Sequence, residues 1–264
     1  MDTYFFVLAY DGTAFNGWQA QRKEHLRTVQ ETLEGAAEKI FGVKTSMTAS
    51  GRTDAGVHAV GQVCSFCADT TIPPEKLADC FNAVLPCDVR VQKSGRAEEG
   101  FDACRGAKRK TYVYSLYFSR RENPLKERFC VRVGGMPDFE GMSAAAKMLE
   151  GEHDFKAFCA ADSSAKTTVR TLFGVELRRE NTLTGEELHI YVTGNGFLYN
   201  MVRTLAGTLL DVGFGKRTLA DVERALAAGD RTAVGRTMPA KGLCLVQVDY
   251  GNPSAAGKNF TEFS

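Results

Sequence analysis

One order of predicted secondary-structure elements, β-α-β-β-α-β, occurs twice along this chain and constrains the fold more than any other feature. In the first half, an apolar segment at 3–10 predicts a buried strand, and a helix begins at the capping box of Thr28 and Glu31 and ends at Gly42. The other elements predicted in this half are strands at 45–51, 58–67 and 88–96 and a helix at 73–85. The second half has predicted strands at 109–118, 167–179, 186–194 and 243–248 and helices at 139–149, 197–212 and 218–228.

Two such units predict an α+β fold of two tandem ferredoxin-like halves with mixed antiparallel sheets and a central active-site cleft. We expect the N-terminal half at 1–105, the C-terminal half at 106–250 and a flexible polar tail at 251–264. The chain has 264 residues, 44% of them hydrophobic, which is enough for a sizeable core.

Residues 51–59, Gly-Arg-Thr-Asp-Ala-Gly-Val-His-Ala, predict a glycine-framed turn that displays a carboxylate and a guanidinium together. Glycine allows a positive φ and the close approach of another molecule. We therefore expect Asp54 to be displayed at a sheet edge or cleft, with Arg52 beside it to hold an anion or a phosphate. From composition alone, an ordinary tight turn between two strands accounts for the same residues.

Positive charge is concentrated in the middle of the chain, although the net charge of the whole is only +1. Residues 90–132 contain twelve Lys and Arg against five Asp and Glu. Aromatic residues are interleaved with them, namely Phe101, Tyr112, Tyr114, Tyr117 and Phe118. Phosphate neutralisation combined with base stacking is typical of a nucleic-acid-binding surface. A solvated charged face is the alternative.

Several classes of protein are excluded by missing motifs. No apolar run of about 18 residues predicts a membrane span, and no N-terminal signal segment is evident, so we expect a cytoplasmic location. Cys64 and Cys67 would point to opposite faces of a strand, so we expect the eight cysteines to be reduced thiols and not zinc ligands. Walker, H-E-x-x-H and G-x-S-x-G motifs are also missing. The residue types that are present therefore indicate a reaction without a metal or a cofactor.

The segment Gly-Arg-Thr-Asp-Ala-Gly-Val-His at 51–58 closely resembles the signature of the tRNA pseudouridine synthase A family. Further segments resemble this family in the same order along nearly the whole chain. They are Tyr10-Asp11-Gly12-Thr13, Gly17-Trp18-Gln19, Thr28-Val29-Gln30-Glu31, Phe101-Asp102-Ala103, 109–114, Asn200-Met201-Val202-Arg203 and 241–246. Asn200 departs from the histidine that many family members carry, and Cys244 stands at a variable position.

The resemblance implies a role for each candidate site residue. Asp54 would be the catalytic nucleophile, and Arg203 would be the positive charge that pairs with it and keeps it ionised. Arg52 would enter the space that the flipped target base leaves. Tyr112 would stack on the flipped uracil, where its hydroxyl could serve the removal of the C5 proton, and Leu245 would line the apolar wall of the pocket. The phosphates of tRNA would be held by Arg105, Lys108, Arg109 and Lys110.

The implied reaction isomerises uridine to pseudouridine in the anticodon stem-loop of tRNA, at positions thirty-eight to forty, in a homodimer that binds each tRNA across both subunits. The N1–C1′ bond must break and a C5–C1′ bond must form. A carboxylate can attack the sugar to give an acylal or abstract a sugar proton to give a glycal, and the sequence leaves both routes open. One carboxylate suffices because uracil leaves as a delocalised anion that stays bound.

Ordinary structural roles could also account for several of these residues. Arg203 could be a solvated surface arginine, Arg52 could bind a phosphate or form a salt bridge, and Tyr112 and Leu245 could be core residues. The nearest alternative function is a pseudouridine synthase of this fold that acts at other RNA positions. A non-catalytic RNA-binding protein is the alternative from another class. It is disfavoured because a carboxylate such as Asp54 beside phosphates would weaken binding to a polyanion.

Overall fold

The computed structural model describes residues 1–20, 26–160, 165–183 and 185–251, which have an α+β fold with extensive mixed β-sheet. They divide into two compact units. The first contains Met1–Lys110 and the chain from Leu245 onward, and the second contains Thr111–Cys244. This border lies five residues beyond the predicted division at 105/106, and most of the last strand belongs to the first unit. The predicted tail lies outside the described residues, except for Gly251.

The first unit has the predicted order β-α-β-β-α-β, followed by one short helix. The bounds are β1 Asp2–Tyr10, α1 Val29–Phe41, β2 Thr48–Ala49, β3 His58–Ala68, α2 Leu77–Val84, β4 Val89–Arg96 and α3 Ala103–Gly106. Strand β2 is much shorter than the predicted 45–51, since the chain enters the turn at 51–57 directly after it. Helix α1 begins at the N-cap Thr28, whose side chain accepts from the backbone N–H of Glu31, and ends at Gly42 with a φ of 73°.

Among its described residues, the second unit contains five strands and three α-helices before the chain returns to the first unit. The bounds are β5 Arg109–Phe118, β6 Val131–Val133, α4 Phe139–Met148, β7 Gly151–Asp154, β8 Val169–Thr182, β9 Gly185–Gly194, α5 Met201–Gly213, α6 Leu219–Ala228 and the returning strand β10 Leu243–Asp249. The sequence did not predict α3, β6 and β7, because segments of three or four residues are too short to show a period.

In the first unit, strand β1 lies between β4 and β3 and is antiparallel to both. Strand β3 also pairs with β2 and β10. The core beside β1 is aromatic, and the rings of Phe6, Phe66 and Phe81 contact one another with centroids 4.7 to 6.3 Å apart. The register pairs Tyr10 at the end of β1 with Ala59 at the start of β3. The end of β1 therefore lies beside the turn that precedes β3.

In the second unit, the strand order is β5-β9-β8-β7, and β6 pairs in parallel with β5. Helix α5 begins at Met201 and not at the predicted 197, because Asn200 adopts a left-handed backbone conformation with a φ of 62°. Glycine lets the segment after α6 approach α5 closely. A Cβ on Gly207 would lie 2.0 Å from the carbonyl oxygen of Arg236. None of the helices in the described part of the chain has the length and apolar character needed to cross a membrane.

Arg27 ties the loop before α1 to the start of β4. Its guanidinium donates to both carboxylate oxygens of Asp88, at 2.6 and 2.8 Å. Both residues also accept hydrogen bonds from the residues that follow β1. Asn16 N–H donates to the carbonyl of Arg27, and Asp11 N–H donates to the carbonyl of Asp88. The hydrogen bond from Arg27 lowers the pKa of Asp88 below its ordinary value of 3.8.

We expect Gly207→Ala to lower the free energy of unfolding by about 1–3 kcal/mol, because the new methyl group collides with backbone that must shift. The matched control is Gly35→Ala in α1, where a Cβ meets no atom within 4 Å. That variant should be neutral or more stable by about 0.5–1 kcal/mol, the ordinary difference between alanine and glycine in a helix. Urea unfolding of both variants tests this, and equal stability of the two would contradict the close contact.

We expect Asp88→Asn to lower the free energy of unfolding at neutral pH by about 0.5–1 kcal/mol, because Arg27 is 39% exposed and solvent screens the pair. A lowered folded-state pKa stabilises the fold above about pH 4, and that stabilisation is lost as pH falls through the folded-state pKa. The difference from the unsubstituted protein should therefore vanish in acid. The control is Glu176→Gln, which removes a more exposed ion pair with Arg178. It should change the free energy of unfolding by less than Asp88→Asn does. A difference that does not shrink as the pH falls would contradict the assignment.

Candidate active site

Asp54 lies in a tight turn between β2 and β3. The backbone N–H of Val57 donates to the carbonyl of Asp54 at 3.1 Å, which closes a four-residue turn. Gly56 is its third residue and has a φ of 78°, the positive value that a type II turn requires there. Asp54 is half-buried and Arg52 is exposed. The display of Asp54 and Arg52 together toward an anion stays a prediction.

The loop after β1 packs against this turn through two glycines. A Cβ on Gly12 would lie 2.0 Å from the carbonyl oxygen of Val57, and one on Gly17 would lie 2.6 Å from that of Thr53. Gly17 also has a φ of 86°. Two motifs that are far apart in sequence, at 10–19 and 51–58, are thus the two sides of one contact between backbones.

Backbone hydrogen bonds fasten the loop and the turn to each other. Trp18 N–H donates to the carbonyl of Thr53 at 3.0 Å, and Gly56 N–H donates to that of Phe15 at 3.2 Å. Gly12 N–H donates to Nδ1 of the buried His58 at 3.0 Å. The turn is therefore held on both sides of Asp54.

A buried polar network, formed by Ser50, Gln62, Tyr10 and Thr53, lies beneath the turn. Ser50 Oγ donates to Gln62 Oε1 at 2.6 Å, and Gln62 Nε2 donates to the carbonyl of Gly51 at 2.9 Å and to the hydroxyl of Tyr10 at 3.4 Å. The Tyr10 hydroxyl is 2.8 Å from Thr53 Oγ1. All four side chains belong to buried residues. The sequence did not predict this network, because only the pairing of β1 with β3 brings its members together.

Arg105, Lys108, Arg109 and Lys110 form the basic cluster that is predicted to bind phosphates. Of these four residues, Lys110 lies at the turn. Its Nζ is 3.0 Å from the position of a Cβ on Gly51. Arg105, Lys108 and Arg109 are exposed on or near α3 and the start of β5. The side chain of Asp102 caps α3 by accepting from the backbone N–H groups of Cys104 and Arg105. The structure thus joins Asp54, Arg52 and Lys110 in one small region of the first unit.

In the second unit, Arg203 is held in place by the segment before β10 and by the start of its own helix. Its Nε donates to the carbonyl of Met238 at 2.7 Å, and its Nη1 donates to Asn200 Oδ1 at 2.6 Å. Met238 N–H donates back to the carbonyl of Arg203 at 3.2 Å. Asn200 therefore orients the predicted arginine.

Tyr112 is buried on β5, and its ring meets that of Phe197 edge-on with centroids 5.2 Å apart. Two positions further along, Tyr114 donates from its hydroxyl to the carbonyl of Pro239 at 2.7 Å. Burial raises the pKa of this hydroxyl, although the nearby Arg203 opposes the shift. Tyr114 thus anchors the same segment that holds Arg203. The sequence did not predict this anchoring role.

Leu245 is fully buried in β10, within the first unit. Asp54 and Arg203 belong to different units, so their pairing stays a prediction, as does a common pocket with Tyr112. No group of three or more His, Cys, Asp or Glu side chains in the described ranges could hold a metal ion. The eight cysteines are free thiols, and burial raises the pKa of Cys64 to about 12, which makes it inert.

Comparison with known proteins identifies the family. The family described as tRNA pseudouridine synthase matches residues 7–102 and 145–251, which include the turn, Arg203 and Leu245. The chain is 44% identical to tRNA pseudouridine synthase A of Shouchella clausii over 93% of its own length and 92% of that protein. It is 40% identical to tRNA pseudouridine synthase A of Caldicellulosiruptor bescii over 95% of its own length and all of that protein. The chain therefore belongs to the tRNA pseudouridine synthase family.

Proposed function

We propose that this tRNA pseudouridine synthase isomerises uridines at positions thirty-eight to forty of the anticodon stem-loop, with Asp54 as the nucleophile and no cofactor. The observation that carries the proposal is the rigid display of Asp54. Its carboxylate is half-buried on a turn whose backbone is hydrogen-bonded on both sides. Such fixed placement lets a catalytic group act on a bound sugar without a further ordering step.

Arg203 is proposed to be the positive charge that pairs with Asp54 and favours its ionised form. The carbonyl of Met238 and the side chain of Asn200 hold two of its nitrogens, so the guanidinium has a defined direction. An arginine suits this role because it remains protonated at every relevant pH.

The remaining residues of the proposed pocket act on the flipped nucleotide. A uridine in a stem must leave the base stack to reach a carboxylate, and the exposed Arg52 on the turn is proposed to occupy the space it leaves. Tyr112 is proposed to stack on the uracil, its hydroxyl serving the C5 proton removal, and the buried Leu245 to form an apolar wall. The N1–C1′ bond then breaks by either the acylal or the glycal route, the uracil turns, and C5 bonds to C1′ before losing its proton.

The tRNA backbone is proposed to lie on the basic cluster of Arg105, Lys108, Arg109 and Lys110. Three of these are exposed, and the fourth reaches the turn, so one path of phosphates could lead from the surface to Asp54. Neutralising phosphates releases counterions, and binding should therefore weaken steeply with added salt.

We also propose the finer architecture implied by the family. Each unit is interpreted as a ferredoxin-like half, and the antiparallel pairing of β1 with β3 and β4 supports this for the first. A catalytic cleft between the halves, a homodimer that binds each tRNA across both subunits, and a cytoplasmic location complete the proposal.

Asp54→Asn should abolish isomerisation, lowering the rate by at least about 10³-fold, because the amide cannot act as a nucleophile or base. Binding of tRNA should stay nearly unchanged. The measurement is release of tritium from tRNA that carries 5-³H-uridine, since forming the C5–C1′ bond expels that hydrogen. The matched control is Asp79→Asn, which removes an exposed carboxylate on α2 and should leave release unchanged. Loss of binding together with activity would indicate instead that Asp54 supports folding.

Charge reversal of Lys108 and Arg109 to glutamate should weaken tRNA binding and make it less sensitive to salt, by roughly 0.7–0.9 in the logarithmic slope for each lost phosphate contact. The position of the modified uridine should not change. The control reverses two other exposed lysines of the first unit, Lys39 and Lys44. Equal affinities of the two double variants would show that the basic cluster does not contact the phosphates.

A further inference from the structure

The buried network beneath the turn has a defined direction of hydrogen bonding. The carbonyl of Gly51 can only accept, so the atom of Gln62 that faces it must be the amide nitrogen. The amide oxygen then faces Ser50, whose hydroxyl donates to it. The other hydrogen of the Gln62 amide points at the Tyr10 hydroxyl. This orientation follows from the geometry, since a flipped amide would set two oxygens against each other.

The network continues from Tyr10 into the turn. The Tyr10 hydroxyl accepts from Gln62 and is also hydrogen-bonded to the hydroxyl of Thr53, 2.8 Å away. The carbonyl of the same threonine accepts from Trp18 N–H. Both the side chain and the backbone of the residue before Asp54 are therefore held by hydrogen bonds.

We propose that Tyr10 and Gln62 are positioning residues for catalysis, which set the direction of the Asp54 carboxylate through Thr53 and Gly51. This inference rests on the proposed role of Asp54. The network holds Gly51 and Thr53, the two residues on either side of Arg52, so it also determines how that arginine is displayed. A side chain that aims a nucleophile acts on the rate of the chemical step, because a displacement of about 1 Å can slow a reaction 100-fold.

A purely structural role makes a different prediction from a positioning role. Buried hydrogen-bond networks also stabilise folds, and losing one bond lowers stability wherever it lies. Tyr250 offers a matched comparison in the same unit. Its hydroxyl is also buried, and it donates to the carbonyl of Ala103 at 2.8 Å, far along the chain from the turn.

The test compares Tyr10→Phe with Tyr250→Phe. Tyr10→Phe should lower the single-turnover rate at saturating enzyme roughly 10- to 100-fold, with the Kd for tRNA unchanged. Tyr250→Phe should lower the thermal stability by about as much as Tyr10→Phe does, but it should keep the rate of the unsubstituted enzyme. The proposal is overturned if the two variants have equal rates, or if Tyr10→Phe weakens tRNA binding as much as it slows the reaction.

A second pair of variants tests the path through Thr53. Thr53→Val removes the hydroxyl and should slow the reaction as Tyr10→Phe does, whereas Thr53→Ser keeps the hydroxyl and should restore most of the rate. The double variant of Tyr10→Phe with Thr53→Val should be no slower than the slower single variant, because both substitutions break the same hydrogen bond between Tyr10 and Thr53. The proposal would be overturned if the rate losses of the two single variants multiplied in the double variant, or if Thr53→Val were fully active. If Asp54→Asn itself kept its activity, the proposed function would fail, separately from this network.

Discussion

The first unit depends on a contact between two stretches of backbone that lie too close for side chains to separate them. The loop after β1 and the turn before β3 approach so closely that a Cβ on Gly12 or Gly17 would overlap a carbonyl oxygen of the turn. Glycine is required at both positions for this reason. The contact brings backbone donors of the loop to the carbonyls of the turn. It thereby converts a flexible surface turn into a fixed support for Asp54.

The candidate site in each unit has one feature in common, which is that a charged residue lies in or beside a segment held by several hydrogen bonds. Asp54 follows a residue bound through both its backbone and its side chain. Arg203 is bound by a backbone carbonyl and by Asn200. Buried tyrosines complete both supports, since Tyr10 fixes the turn and Tyr114 fixes the segment that binds the arginine. Preorganised polar groups of this kind need little rearrangement when charge develops in a reaction.

Much of the fold and of the site could be predicted from local patterns. The apolar period and caps predicted α1 and α6, and glycines with a carboxylate predicted the exposed turn. Other features failed or were missed because their cause lies elsewhere in the chain. Helix α5 starts later than its apolar period indicates, since Asn200 has a left-handed backbone conformation, and its side chain accepts a hydrogen bond from Arg203. The network of Gln62 and Tyr10 is also invisible locally, because its hydrogen bonds join residues up to 52 positions apart.

The sequence by itself determined the family, most of the longer helices and strands, and the chemical groups available, because motifs, periodicity and residue types are properties of neighbouring positions. It predicted Asp54 and Arg52 as a displayed pair, and the family resemblance implied Arg203 as the partner of Asp54. Only the tertiary structure decided which groups hold these side chains. Strand register set Tyr10 against the turn, and close backbone packing set Gly12 and Gly17 against it. Hydrogen bonds act over about 3 Å, so their partners are decided by folding and not by distance along the chain.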